Sequence, residues 1–262
     1  MSEYLDYYGY IDDENSQGVF HANPGQNANG QPIGILVVDM SMPVLPGHVS
    51  NAYTYAFPVR YLPVQNVNWS RLHIGSQEIT QNIIDAARQL EREGCRAVFG
   101  DCGFFGHFQR AVADALDIPV FLSSVTQVTF IISGLSKKRR VGILTANSES
   151  LTPSLFESCG VSRDDYERCD IVGAQDEPEF SNVLNSRGYY DVGKVRQELI
   201  NLARSLVTDH VGIGALLLEC TDMSQHAAAL QASVKLPVFD MVTLINYVYE
   251  TVCRKPTVGG FC

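Results

Sequence analysis

Two of the seven cysteines in this 262-residue chain occupy matched positions. Cys102 follows the run Ala-Val-Phe-Gly-Asp, and Cys220 follows Ala-Leu-Leu-Leu-Glu. Pro119 lies 17 residues after Cys102, Pro237 lies 17 after Cys220, and each proline opens the tripeptide Pro-Val-Phe. A cysteine that only packs has no reason to recur this way. A pair of acid–base groups does. Two thiols on opposite sides of one cleft can take a proton from a small carbon acid on one face and return it on the other. A cysteine at the end of a strand and before a helix faces amide dipoles that favour an anion, so each thiol is expected to ionise more readily than a free one. The other five, Cys95, Cys159, Cys169, Cys253 and Cys262, read as small hydrophobes or exposed thiols; no CxxC spacing supports a zinc ribbon or a redox pair.

The elements that must hold the pair can be read from the apolar pattern. Ile33–Asp39, Ala97–Gly100, Val120–Leu122, Val141–Thr145, Ala215–Leu218 and Val238–Phe239 are short continuous apolar runs, as expected of strands covered on both faces. Gln77–Glu93 and Val192–Val207 carry helical periodicity. Alternation of this kind predicts an α/β fold with parallel strands, and in such sheets ligands bind at the carboxyl ends of the strands. The residues there are the candidates for substrate binding: Asp39, Gly103, Phe104, Ser123, Ser124, Thr145, Asn147 and Thr221. The chain also repeats itself, Val-Gly-Ile-Leu-Thr-Ala-Asn (141–147) echoing Ile-Gly-Ile-Leu-Val-Val-Asp (33–39). One duplication implies two pseudosymmetric lobes, each a mainly parallel sheet flanked by helices, with the active site in the cleft between them. The expected division is a mobile extension over 1–31, lobes over 32–138 and 139–253 with returns of the chain between them left open, and a tail over 254–262. Lys-Lys-Arg-Arg (137–140) reads as a solvated linker at the join.

Composition narrows the class. Nineteen Lys and Arg against 29 Asp and Glu give a net charge of −10, which argues against nucleic-acid binding. No apolar run is long enough to cross a membrane, and the acidic N-terminus has no secretory pattern, so a cytoplasmic protein is expected. Motifs for nucleotides, zincins and serine hydrolases are absent.

The motifs Gly-Asp-Cys-Gly-Phe-Phe (100–105) and Leu-Glu-Cys-Thr-Asp-Met (218–223), with the strand ends at 37–39, 122–124 and 145–147, resemble the aspartate/glutamate/hydantoin racemase superfamily over about residues 33–250. The resemblance implies two lobes that each contribute one cysteine, acting without pyridoxal phosphate or a metal. Amino-acid racemases of that family usually follow the first cysteine with Asn-Thr; this chain has Gly103-Phe104 there, and keeps Cys220-Thr221 at the second site. The Gly-Asp-Cys-Gly-Phe form and the stretch 171–180 look like the branch that includes the algal dimethylsulfoniopropionate lyases. The expected function is therefore a cofactor-independent racemase or epimerase of a small amino acid or related carboxylic acid. The alternatives are a lyase that removes a proton next to a carboxylate and expels a β-substituent, and a non-catalytic small-acid binding protein. A homo-oligomer is expected.

Several further residues carry expectations. The long loop from Met40 to about Gln65 would serve as a lid through Tyr53, Tyr55 and Phe57, with Arg60 as an anion contact, or else pack on the other lobe or a partner subunit. His107 and His226 would either raise the thiolate fraction or be exposed first-turn residues. Together with the two cysteines they match no common zinc spacing, so no metal is expected. Strand alternation would turn Asp101 and Glu219 away from the cleft, to cap a helix or bind across the lobes. Trp69 reads as core or interface.

Overall fold

The computed structural model describes residues 19–255 and 257, so Tyr4, Tyr7, Tyr8, Tyr10 and Cys262 lie outside the described residues. The first half runs β1 (Ile33–Asp39), β2 (Val59–Asn68), α1 (Trp69–His73), α2 (Thr80–Arg92), β3 (Ala97–Gly100), α3 (Gln109–Ala113), β4 (Val120–Phe121) and α4 (Val128–Ser133). The second runs β5 (Arg140–Thr145), α5 (Pro153–Ser158), α6 (Arg163–Tyr166), β6 (Cys169–Gly173), α7 (Phe180–Leu184), α8 (Val192–Asp209), β7 (Ile213–Leu218), α9 (Ala227–Val234), β8 (Val238–Phe239) and α10 (Met241–Val252). Each half forms a four-stranded parallel sheet, in the orders β2-β1-β3-β4 and β6-β5-β7-β8. The two orders are the same, as the internal repeat requires.

The matched glycines of the repeat share one physical reason. A Cβ on Gly34 would lie 2.9 Å from Leu90 Cδ1 of α2, and one on Gly142 would lie 2.9 Å from Leu206 Cδ2 of α8. In both sheets a bare backbone lets the long crossover helix lie against the first strand.

β1 alternates across the sheet. Leu36 and Val38 join a buried cluster that continues through Phe105 into Ile143, Leu144 and Leu217 of the second half, while Ile33 and Ile35 face the other way with Ala97 and Phe99. That second face is covered by α10, through Met241, Leu244, Ile245 and Val248. Thus the last helix of the second half packs on the first half's sheet. In the reciprocal direction α4 packs against β5 and α6, and Thr129 Oγ1 donates to Asp165 Oδ2 at 2.8 Å. Asp240 starts α10 with a reciprocal cap, its carboxylate taking the Thr243 amide at 2.7 Å.

The expected loop is shorter than its sequence implied, because β2 begins at Val59. Tyr55 and Phe57 are not a lid. Tyr55 is buried with its hydroxyl donating to the Val49 carbonyl, and Phe57 stacks on Tyr249 of α10 at 3.7 Å. Tyr53 projects into solvent, 91 % exposed. Arg60 sits beside Gly34 near the amino end of β1 and is paired with Glu93 at 2.7 Å, so it cannot reach the carboxyl ends of the strands. Arg140 is likewise no linker residue: it opens β5 and pairs with Asp170. Among the described residues no helix is long and apolar enough to cross a membrane.

Candidate active site

Cys102 follows β3 and Cys220 follows β7, each the residue just before a 3-10 turn (Gly103–Phe108 and Thr221–His226). Both line one cavity of about 30 Å³ between the halves. Gly103, Phe104, Glu219, Asp222 and Ala146 share its wall with Met40, Trp69, His73, Phe180 and Leu184. The wall is largely apolar, and no Lys or Arg contributes to it. That volume holds about one water, so a larger ligand requires the walls to part. On the far side of His73 lies a wider polar cleft of about 440 Å³, lined also by His107, Gln77, Ser150 and Thr152.

Burial pushes both thiols well above the ordinary cysteine value, against the expectation that they ionise readily. The Phe104 amide at Cys102 and the Asp222 amide at Cys220 pull the other way, but desolvation outweighs them. After burial the largest contribution comes from Glu219 at Cys102 and from Asp222 at Cys220.

Glu219 is not turned away from the cleft. It lies fully buried in the cavity wall with Oε2 bonded to Thr145 Oγ1 at 2.6 Å, while Oε1 has no partner. Burial pushes its carboxyl up to about 7. Asp101 binds across elements of the first half instead: Oδ1 accepts the Val38 amide at 3.0 Å and Oδ2 accepts Ser50 Oγ–H at 3.0 Å. Burial pushes it, too, up to about 7.

Of the substrate-binding candidates, Gly103 and Phe104 reach the cavity. The others are occupied elsewhere. Ser123 Oγ accepts the Val125 amide, and Ser124 Oγ donates to the Leu218 carbonyl across the halves. Thr221 Oγ1 donates to the Asp101 carbonyl, and Thr145 is spent on Glu219. Asn147 accepts the Glu149 amide, and Asp39 is exposed at the end of β1. The Ser124 and Thr221 hydroxyls tie the halves together around the site. His107 is half-buried beside Gly75 in the outer cleft, and His226 is buried, its imidazole pushed down to about 4. Neither lines the inner cavity with the thiols.

Sequence reasoning assigned no role to His48 or Asp222. Cys220 Sγ–H donates to Asp222 Oδ2 at 3.3 Å, and Asp222 Oδ1 meets His48 Nε2 at 2.8 Å. His48 Nδ1 accepts the Ser50 amide at 2.9 Å, which leaves Nε2 as the donor to Asp222. Asp222 could have been noticed two residues beyond Cys220; His48 could not, being 174 residues from its partner.

The profile of the Asp/Glu/Hydantoin racemase family matches residues 68–245, which span both cysteines. The chain belongs to that family. The fold is also seen in a solved structure: unliganded arylmalonate decarboxylase superposes with a TM-score of 0.51 at 14 % identity, over 87 % of this chain and 94 % of the other. Among curated family relatives, dimethylsulfoniopropionate lyase 6 of Emiliania huxleyi is 32 % identical over 241 residues, 88 % of this chain and 62 % of the relative. The lyase of Durusdinium sp. clade D is 29 % identical over 90 % of this chain and 80 % of its own length. The chain therefore spans under two thirds of the Emiliania huxleyi lyase it matches.

Proposed function

We propose that one of the two cavity thiols removes a proton from the carbon next to a carboxylate, and that the reaction ends in β-elimination from a sulfonium acid of the dimethylsulfoniopropionate type. The observation that carries the proton transfer is the convergence of Cys102 and Cys220, from equivalent places in the two halves, on one small cavity. A thiolate takes the proton; the electron pair left on carbon forms the double bond as the carbon–sulfur bond breaks; dimethyl sulfide leaves with the bonding pair and the acid remains as acrylate.

The choice of substrate rests on the cavity wall. A sulfonium is favoured by the aromatic rings of Trp69, Phe104 and Phe180 in the wall and by the acids Glu219 and Asp222. A dicarboxylic amino acid would find no Lys or Arg there. The curated lyases at about 30 % identity support the same choice. Racemisation stands second, and the second thiol is what favours it, since an elimination needs one base and an inversion needs two groups.

Incubation in D2O with dimethylsulfoniopropionate and a panel of α-hydrogen carboxylic acids separates the readings. Dimethyl sulfide release is expected, falling about 10²–10⁴-fold in whichever of Cys102→Ser and Cys220→Ser removes the base. Inversion with deuterium wash-in and no released sulfide would establish the racemase instead. No reaction with any acid, and ligand binding unchanged in both variants, would leave a binding protein.

A further inference from the structure

The two thiols are equivalent by topology and different by partner. Cys220 donates its proton to Asp222 Oδ2 at 3.3 Å. The other oxygen of that carboxylate is held by His48 Nε2–H at 2.8 Å, and His48 is itself fixed by the Ser50 amide at 2.9 Å and is 3 % exposed. Both partners of Asp222 are donors, so the carboxylate serves as acceptor at each oxygen. Cys102 has no such acceptor. Its sulfur faces the Phe104 amide, a donor, and among the described residues no carboxylate is hydrogen-bonded to it. Glu219, Asp101 and Asp222 act on it through space without a hydrogen bond to the sulfur, and Glu219 spends one oxygen on Thr145.

We infer that Asp222, held in register by His48, keeps Cys220 as a neutral thiol, and that Cys102 is the thiol that takes the substrate's proton. This rests on the reading that a cavity thiol is the base, and it adds which one. Each thiol faces one amide donor, Phe104 at Cys102 and Asp222 at Cys220, so the difference is the carboxylate: one that accepts an S–H proton stabilises the thiol and opposes a thiolate at the same place. The remaining ionisable groups around Cys220 do not reverse this. Glu219 and Cys102 add to the same sign. His48 is spent on Asp222, and Tyr190 and His226 interact with that carboxylate and not with the Cys220 thiol. The step balances simply: Cys102 thiolate gains the substrate's proton, Cys220 keeps its own, and Cys102, the more exposed of the two, returns the proton to solvent when the cleft opens. Asp222 and His48 are positioning residues in this account, acting through Cys220.

The test follows alkylation of each cysteine by iodoacetamide across pH, with the full chain and site-resolved mass spectrometry. The midpoint of each profile is read, because absolute rates also carry burial. In the unaltered protein the Cys102 midpoint is expected at least one pH unit below that of Cys220, about tenfold in thiolate fraction. Asp222→Asn is expected to lower the Cys220 midpoint by about one unit and to move Cys102 less. His48→Ala, which frees the carboxylate to turn off the thiol, should move Cys220 in the same direction. A Cys220 midpoint below that of Cys102 in the unaltered protein overturns the assignment without any variant. A Cys220 midpoint unmoved in Asp222→Asn overturns the role of Asp222, and one unmoved in His48→Ala overturns that of His48. Turnover measured on the alkylated protein is a separate readout: activity retained after both thiols are blocked refutes thiol catalysis itself, whatever the order of the midpoints.

Discussion

A side chain at position 103 and the carboxyl of Glu219 would claim the same space: a Cβ built on Gly103 runs into Glu219 Oε1 and lies 2.5 Å from the Glu219 carbonyl oxygen. The glycine after the first cysteine and the glutamate before the second are therefore one arrangement, contributed by the two halves together. Its energetic consequence is set by burial. A glutamate whose carboxyl is pushed from 4.5 up to about 7 in the folded chain is neutral in both states at low pH. Above 4.5 the unfolded chain ionises first, so the native state loses stability as the pH rises to about 7 and levels off beyond it, for a total of about 3 kcal/mol. Glu219→Gln keeps the shape and the Thr145 contact and removes the ionisation. It is expected to be more stable than the unaltered protein at pH 8 and no more stable at pH 4, measured by urea denaturation at both. A stability difference independent of pH would contradict the buried, neutral carboxyl. The chemistry was legible at this scale only in part. Cys102 and Cys220 announce themselves by matched spacing, whereas the Asp222–His48 contact joins a motif to a loop across the halves and leaves no local pattern.

Among the elements, the sequence revealed the strands written as short apolar runs, the edge strands β4 and β8 included, and hid β2 and β6. β1, β3, β4, β5, β7 and β8 appear as apolar runs because helices or other strands cover them. β2 and β6, the equivalent edge strands beside β1 and β5, are only partly buried and break their apolar runs with polar residues such as Arg60, Gln65 and Asp170, and β2 carries Pro63, which an edge tolerates for want of a partner at its amide. The same partial burial that left them unread also made the preceding loop seem long enough to be a lid. The helix α10 anchors one half on the other. Ile245 is fully buried against β1 and β3, so Ile245→Ala should cost about 2–5 kcal/mol in denaturation experiments. Because α10 also begins at Asp240, whose carbonyl accepts Gln127 Nε2–H at 3.0 Å beside the site, the loss should appear in the first half's sheet as well as in the helix. Hydrogen exchange in β1 and β3 would read this; acceleration confined to the second half would show that α10 does not secure the first.

For the molecule as a whole, a net charge of −10 surrounds a cavity wall that itself contains acids and no Lys or Arg. A substrate that carries its own cation fits this field better than one that is only an anion. The halves meet in two buried clusters, and hydroxyls at the strand ends cross between them. The site is therefore a property of the assembled pair of lobes.

The exchanged helices make the chain behave as a domain-swapped dimer whose two subunits have been joined end to end. Each sheet is finished by a helix encoded in the other half, so neither half encodes all of its own core. Folding should accordingly be one event, with a single calorimetric transition in place of two. Halves cut at Lys137 should fail to fold alone and recover native helicity when refolded together. A half that folds by itself would show that the exchange is incidental.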